Sequence, residues 1–248
     1  MVNKESNKST LAKDSFDELR YIFDWSVANR DYTPSDVILI GGWAVHSFNP
    51  WKYSLDIDLI ATGRFKRLLT KHPYSTRAYS KERDSAGNTL FLKRLESGDI
   101  YLDFLPKKDQ FHGTGKLLDL TKIQYQTVSK KISYSSEPEF QVIVPDISFL
   151  LLLKLKAAWD RHYDLSLEPT IGNSHLREKF AKDCGDIIAL LQSDEFRFAR
   201  IDWFSSIMSR FDFLLDFLKQ GKIGKNSTFD SVSHKEGNAL INKLLSLI

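Results

Sequence analysis

The sequence predicts an α+β chain: a small mixed sheet with flanking helices over residues 1–143, followed by a helical C-terminal domain over residues 144–248. Three observations lead there. Short apolar and β-branched runs separated by glycine turns recur in the first half. After Pro145 the long apolar stretches all repeat at helical spacing. Within the first half, in "VILIGGWAVHSFNPWKYSLDIDLIA", an apolar run ends in two glycines and is followed by two aspartates that flank one isoleucine.

Taken in order, residues 1–12 are polar and are expected to fray. "KDSFDELRYIFDWSVANRD" sets Phe16, Leu19, Ile22, Phe23, Trp25 and Val27 at helical spacing and reads as an amphipathic helix. "DVILI" reads as a short buried strand, and Gly41 and Gly42 permit a tight turn into a helix over "WAVHSF". "SLDIDLIA" is a strand by alternation. "NTLFLKRL" and "DIYLDFLP" are two more, joined through "ESGD" as a hairpin, and "FQVIVP" is a fifth. Beyond Pro145, "DISFLLLLKLKAAWDRHY", "SHLREKFAKDCGDIIALLQ", "RIDWFSSIMSRFDFLLDFLK" and "GNALINKLLSLI" read as helices.

The 248 residues are 42% hydrophobic and 27% charged, a balance that suits a soluble globular protein. The opening residues lack the apolar core of a secretory signal. The run "ISFLLLLKL" is too short to span a bilayer and is interrupted by Lys154. A cytoplasmic protein with no membrane partner is the expectation. Cys184 is the sole cysteine, which excludes an intrachain disulfide and a cysteine-rich metal site.

The net charge of +3 is unevenly spread. Between Ala61 and Leu95 stand Arg64, Lys66, Arg67, Lys71, Arg77, Lys81, Arg83, Lys93 and Arg94, against only Glu82 and Asp84. Such an excess draws in polyanions such as RNA or a nucleoside triphosphate, or else it is a solvated face. Only Tyr74 and Tyr79 lie among these charges as candidates for base stacking.

Alternate residues of a strand share a face, so Asp56 and Asp58 are expected to point together while Leu55, Ile57 and Leu59 enter the apolar layer. Adjacent carboxylates repel unless a cation joins them, and an all-oxygen site favours Mg²⁺. Asp103, between Leu102 and Phe104, is a third strand aspartate able to complete a cluster holding two ions, a clamp for phosphoryl displacement. The Gly41-Gly42 turn offers backbone N–H groups at a helix start, and Lys52 and Ser54 could reach the same phosphates. Against this stands the plainer reading of a solvent-facing pair and an ordinary turn. His46 follows the glycine turn, but the six histidines show no metal-ligand spacing and none is expected to act as a base.

Gly41-Gly42-Trp43-Ala44-Val45 followed by Ser54-Leu55-Asp56-Ile57-Asp58-Leu59 resembles the signature of the DNA polymerase β-like nucleotidyltransferase superfamily. The resemblance implies a nucleotidyltransferase domain that transfers a nucleoside monophosphate from an NTP to a hydroxyl with two Mg²⁺ ions. By it Asp56 and Asp58 would ligate both ions, Asp103 would bind the catalytic ion, and Gly41 and Gly42 would contact the triphosphate. Lys52-Tyr53-Ser54-Leu55 stands where many members carry Arg-x-Thr-x. The second half resembles AbiEii-type nucleotidyltransferases through Pro145, Lys154, Arg161, Lys182, Asp183 and Asp186. That similarity makes Lys154 a candidate nucleotide contact, whereas the residues alone allow it simply to snorkel. Asp183 and Asp186 read better as ordinary salt-bridge partners of Lys182, Arg177 or Arg161.

The expectation is therefore an Mg²⁺-dependent nucleotidyltransferase acting on an RNA or tRNA end, a protein or a small molecule of the aminoglycoside kind. The AbiEii likeness adds a toxin-like role and a cognate antitoxin as partner. The alternative is a nucleotide- or partner-binding module of the same fold that performs no transfer, and hydrolysis with water as acceptor ranks last.

Overall fold

The computed structural model describes residues 4–29, 32–33, 36–83, 89–121, 123, 126–167 and 173–248. The chain is α+β and falls into two compact units, Met1–Lys107 with Gln124–Pro145, and Lys108–Ile123 with Asp146–Ile248.

The first unit is built on a five-stranded sheet. Helix α1 (Lys4–Ala28) leads into β1 (Val37–Ile40), the short helix α2 (Gly41–His46), β2 (Ile57–Ala61) and α3 (Gly63–Thr76). Strands β3 (Ser80–Arg83), β4 (Thr89–Leu95) and β5 (Gly98–Phe104) follow. Strand order is β1-β2-β5-β4-β3, with β2 and β5 parallel and every other pair antiparallel. Glu96 and Ser97 make the hairpin between β4 and β5, since Leu95 pairs with Gly98. Ile57, Leu59, Leu102 and Phe104 bury one face of the sheet.

The α1 stripe of Phe16, Leu19, Ile22 and Phe23 is buried. Phe16 meets Trp43 of α2 at 5.5 Å, and Trp25 meets Phe65 of α3 at 5.8 Å. The helix begins at Lys4, well inside the segment expected to fray, because Leu11 and Ala12 are buried and anchor its first turns. Glu18, 3% exposed, accepts hydrogen bonds from Arg77, from Lys93 at 2.5 Å and from Tyr79 at 3.2 Å, which ties α1 to β4 and to the start of β3.

The second unit begins with the two-stranded pair β6 (Lys108–Gln110) and β7 (Leu117–Asp119). The chain then returns to the first unit for a second two-stranded pair, β8 (Thr127–Ile132) and β9 (Phe140–Pro145). A division at residue 143 assigns the β6–β7 hairpin to the sheet domain, but it packs with the helices. Phe111 is fully buried at 4.8 Å from Phe211, and Lys156 bridges Asp109 at 2.7 Å and Asp160 at 2.6 Å.

The helices are α4 (Ile147–Leu167), α5 (Ser174–Gln192), α6 (Ile201–Met208), α7 (Asp212–Lys219), α8 (Lys222–Asn226) and α9 (His234–Leu247). Every residue of α4 from Ile147 to Lys156 is buried, the mark of a helix at the centre of its unit. The stretch expected as one helix over residues 200–219 breaks at Phe211, whose ring turns inward onto Phe111. Burial pushes the Cys184 thiol of α5 up to about 12. None of the described helices is long and apolar enough to cross a membrane.

Candidate metal and phosphate site

Strand β1 ends at Ile40, which pairs with Asp58 of β2. On its other side β2 runs parallel to β5, and there Asp58 pairs with Asp103. Parallel neighbours lie about 4.8 Å apart with paired side chains on one face. The two carboxylates therefore stand side by side, opposite the buried Ile57, Leu59, Leu102 and Phe104. Asp58 is half-buried and Asp103 exposed, and one Asp103 oxygen accepts the Phe104 N–H at 2.8 Å.

The glycine turn completes the arrangement. Gly41 has φ +70, which strains any other residue, and a Cβ built there would overlap the Asp58 Oδ2. The Gly41 backbone thus lies directly against the Asp58 carboxylate, and no side chain caps the N-terminus of α2. Gly42 is buried within α2.

Asp56 departs from the expected strand. β2 starts at Ile57, and Asp56 lies in the bend before it, half-buried. The physical reason is that β1 turns away at Gly41, so residues ahead of Asp58 lose their antiparallel partner. The structure thus pairs Asp58 with Asp103 and leaves Asp56 outside the ladder.

The neighbouring side chains differ in use. Lys52 is exposed, with its ammonium 5.5 Å from the Trp51 ring centre, whereas Ser54 is only 2% exposed and turns inward. Trp43 is fully buried beneath the turn and donates to Ser15 Oγ at 3.0 Å. Lys66 of α3 stands in the sequence as one member of the cationic run. Its ammonium lies 4.7 Å over the Phe104 ring, one residue from Asp103. Burial lowers its proton affinity, the Asp103 carboxylate opposes that, and Lys81 adds to it. Only its place in a cationic run hinted at this.

Lys154 belongs to the helical unit. It neither snorkels nor stands open: it is 7% exposed and pairs with Asp186 at 2.7 Å and Asp183 at 3.4 Å. Asp183 also pairs with Arg161, one of the partners the sequence offered. Of the two aromatics weighed for stacking, Tyr79 is buried on Glu18 and the Tyr74 side chain lies outside the described residues.

Mg²⁺ characteristically takes one or two protein carboxylates and fills its octahedron with substrate phosphates and water. Asp58 and Asp103 fit that pattern, and the missing Cβ of Gly41 leaves room for the Asp58 carboxylate against the start of α2. Among the described residues no three metal-ligating side chains converge. A second ion would require Asp56 turned toward the pair. A scan against known protein families finds no match for this chain, and a search among curated proteins finds none either.

Proposed function

We propose that this chain is an Mg²⁺-dependent nucleotidyltransferase that moves a nucleoside monophosphate from an NTP to an acceptor hydroxyl. The observation that carries the reading is the abreast placement of Asp58 and Asp103 with the Gly41 backbone against Asp58. The acceptor hydroxyl oxygen attacks the α-phosphorus and gives its proton to solvent as the bond to the bridging oxygen breaks and pyrophosphate leaves. Bound Mg²⁺ supplies charge neutralisation for the triphosphate and the leaving group. Asp58 and the Gly41 turn orient the polyphosphate, while exposed Asp103 faces the acceptor and holds its hydroxyl. Lys66 adds positive charge beside Asp103.

An RNA acceptor is favoured by α3, which carries Arg64, Lys66, Arg67 and Lys71 and no acidic residue. Arg64, Arg67 and Lys71 are exposed, as are Lys81 and Arg83 on β3. The position of Asp56 off the strand favours a second reading, a module that binds nucleotide or a partner protein such as an antitoxin without transfer.

The test is label transfer from each α-labelled NTP, with Mg²⁺ and total cellular RNA, beside Asp58→Asn and Asp103→Asn. Label in RNA with pyrophosphate release, lost in both variants, supports transfer. Labelled RNA at equal levels in all three proteins overturns the site. NTP binding without label in RNA, protein or an aminoglycoside favours the binding module.

A further inference from the structure

His46 closes α2, five residues after the glycine that lies against Asp58. It is 7% exposed, yet each of its ring nitrogens faces a backbone carbonyl. Nδ1 lies 3.3 Å from the Lys52 oxygen, and Nε2 lies 3.2 Å from the Ser133 oxygen. Lys52 opens the segment that ends in Asp56, and Ser133 lies between β8 and β9. The ring packs edge-on to Trp43 at 5.4 Å and against Tyr53 at 5.1 Å, and Tyr53 rests on Tyr134 at 4.3 Å.

A neutral imidazole carries one N–H, and an imidazolium carries two. Two acceptors therefore face one donor until the ring is protonated. We propose that His46 is the positioning residue for the segment Lys52–Asp56, holding it to the β8–β9 turn through its two ring nitrogens and its packing on Tyr53. The consequence for catalysis rests on the nucleotidyltransferase reading, since Lys52 and Asp56 matter to the reaction only there. The titratable side chains facing the ring are Tyr53 and, behind it, Tyr134; the Lys52 ammonium is on the exposed side of its loop. Burial holds the imidazole below its ordinary value and the two carbonyls only partly oppose that, so the closed segment disfavours the proton and acid loosens it.

The experiment is backbone hydrogen exchange of the whole chain at pH 8 and pH 5.5, corrected for intrinsic rates, on wild type, His46→Phe and His46→Gln. Phe keeps the ring stack and loses both donors; Gln keeps a donor and does not titrate. Wild type should lose about two- to tenfold protection over residues 52–56 at the lower pH, the range of one hydrogen bond, because the closed ring is the weaker base and acid favours the opened segment. His46→Phe should lose protection there at both pH values, and His46→Gln should hold an intermediate level without the pH step. In transfer assays His46→Phe should raise KM for the NTP several-fold and leave kcat within about twofold.

Equal protection in wild type and variants at both pH values overturns the proposal, and so does a pH step in wild type that is retained in folded His46→Gln. If His46→Phe does not fold, the comparison of wild type with His46→Gln decides alone. Absence of transfer by wild type, with the exchange pattern intact, would sink the nucleotidyltransferase reading and leave the latch standing.

Discussion

Asp58 and Asp103 are register partners on parallel strands, two carboxylates with no residue between them. Two like charges at strand spacing cost about 1 kcal/mol in a wet site, and a bound cation reverses the sign.

Neutralising either member should separate stability from activity. Asp58→Asn and Asp103→Asn are each expected to change the apo melting temperature little; in Asp103→Asn the relief of repulsion is offset by loss of the charge beside Lys66. Each should lower transfer by about 10²-fold or more, the usual scale for one charge-stabilising group. Mg²⁺ should raise the melting temperature of wild type and not that of the variants. Thermal scans with and without Mg²⁺, read beside label transfer, check both halves.

Gly41→Ala adds one carbon at a left-handed φ and in the space of the Asp58 carboxylate. A loss of about 1–2 kcal/mol is expected from the backbone alone, with more from the overlap. In the double variant with Asp58→Gly the overlap part should return and the backbone part should not. A double-mutant cycle by urea unfolding measures that coupling.

Lys154→Met tests whether the buried lysine serves structure. It leaves Asp186 at 1% exposure and Asp183 at 4% with one cation fewer, so a loss of about 3 kcal/mol is expected. Lys154→Met combined with Asp186→Leu should recover much of it. A lysine needed only for nucleotide binding would instead show unchanged unfolding and a raised KM.

His162 of α4 gives a pH dependence. Its Nε2 accepts a hydrogen bond from the Lys222 ammonium at 2.8 Å. Burial, then the Lys222 charge, lowers its proton affinity below the ordinary 6.5. The unfolded chain therefore takes the proton first, and stability is full above 6.5 and falls as pH drops through the depressed folded value. Unfolding free energies between pH 8 and pH 5 should show this slope, and His162→Gln should reduce it to the part that His46 contributes.

Most of the sheet could be read from the sequence where side chains alternate or cluster by hydrophobicity. β1, β4, β5 and β9, and helices α4 and α5, carry their own apolar patterns. β3, β6 and β8 do not: "SKER", "KDQ" and "TVSKKI" are charged, and they are strands because a neighbour supplies hydrogen bonds. α3 is hard to read for a similar reason, its cations masking the buried Phe65 and Leu69.

At the site, spacing pointed to Asp58, Asp103 and Gly41, since two strand aspartates and a glycine turn survive translation into three dimensions. It could not show that Asp56 stands before the strand, because that depends on where β1 ends. His46 and Lys66 were beyond it too. Their roles come from Ser133 and Phe104, partners distant in sequence.

The backbone passes between the two compact units three times, at 107–108, 123–124 and 145–146. A single proteolytic nick at the last crossing cuts residues 146–248 from the rest of the chain, and their packing on residues 108–123, through Phe111 on Phe211 and Asp109 on Lys156, is what then holds them. Genetic exchange faces the same topology. Residues 146–248 moved alone into another protein would arrive without Phe111 and Asp109, leaving Phe211 and Lys156 without those partners. The helical half is thus not a cassette: it is inherited with a loop that grows out of the strand bearing Asp103, so recombination must carry both segments or neither.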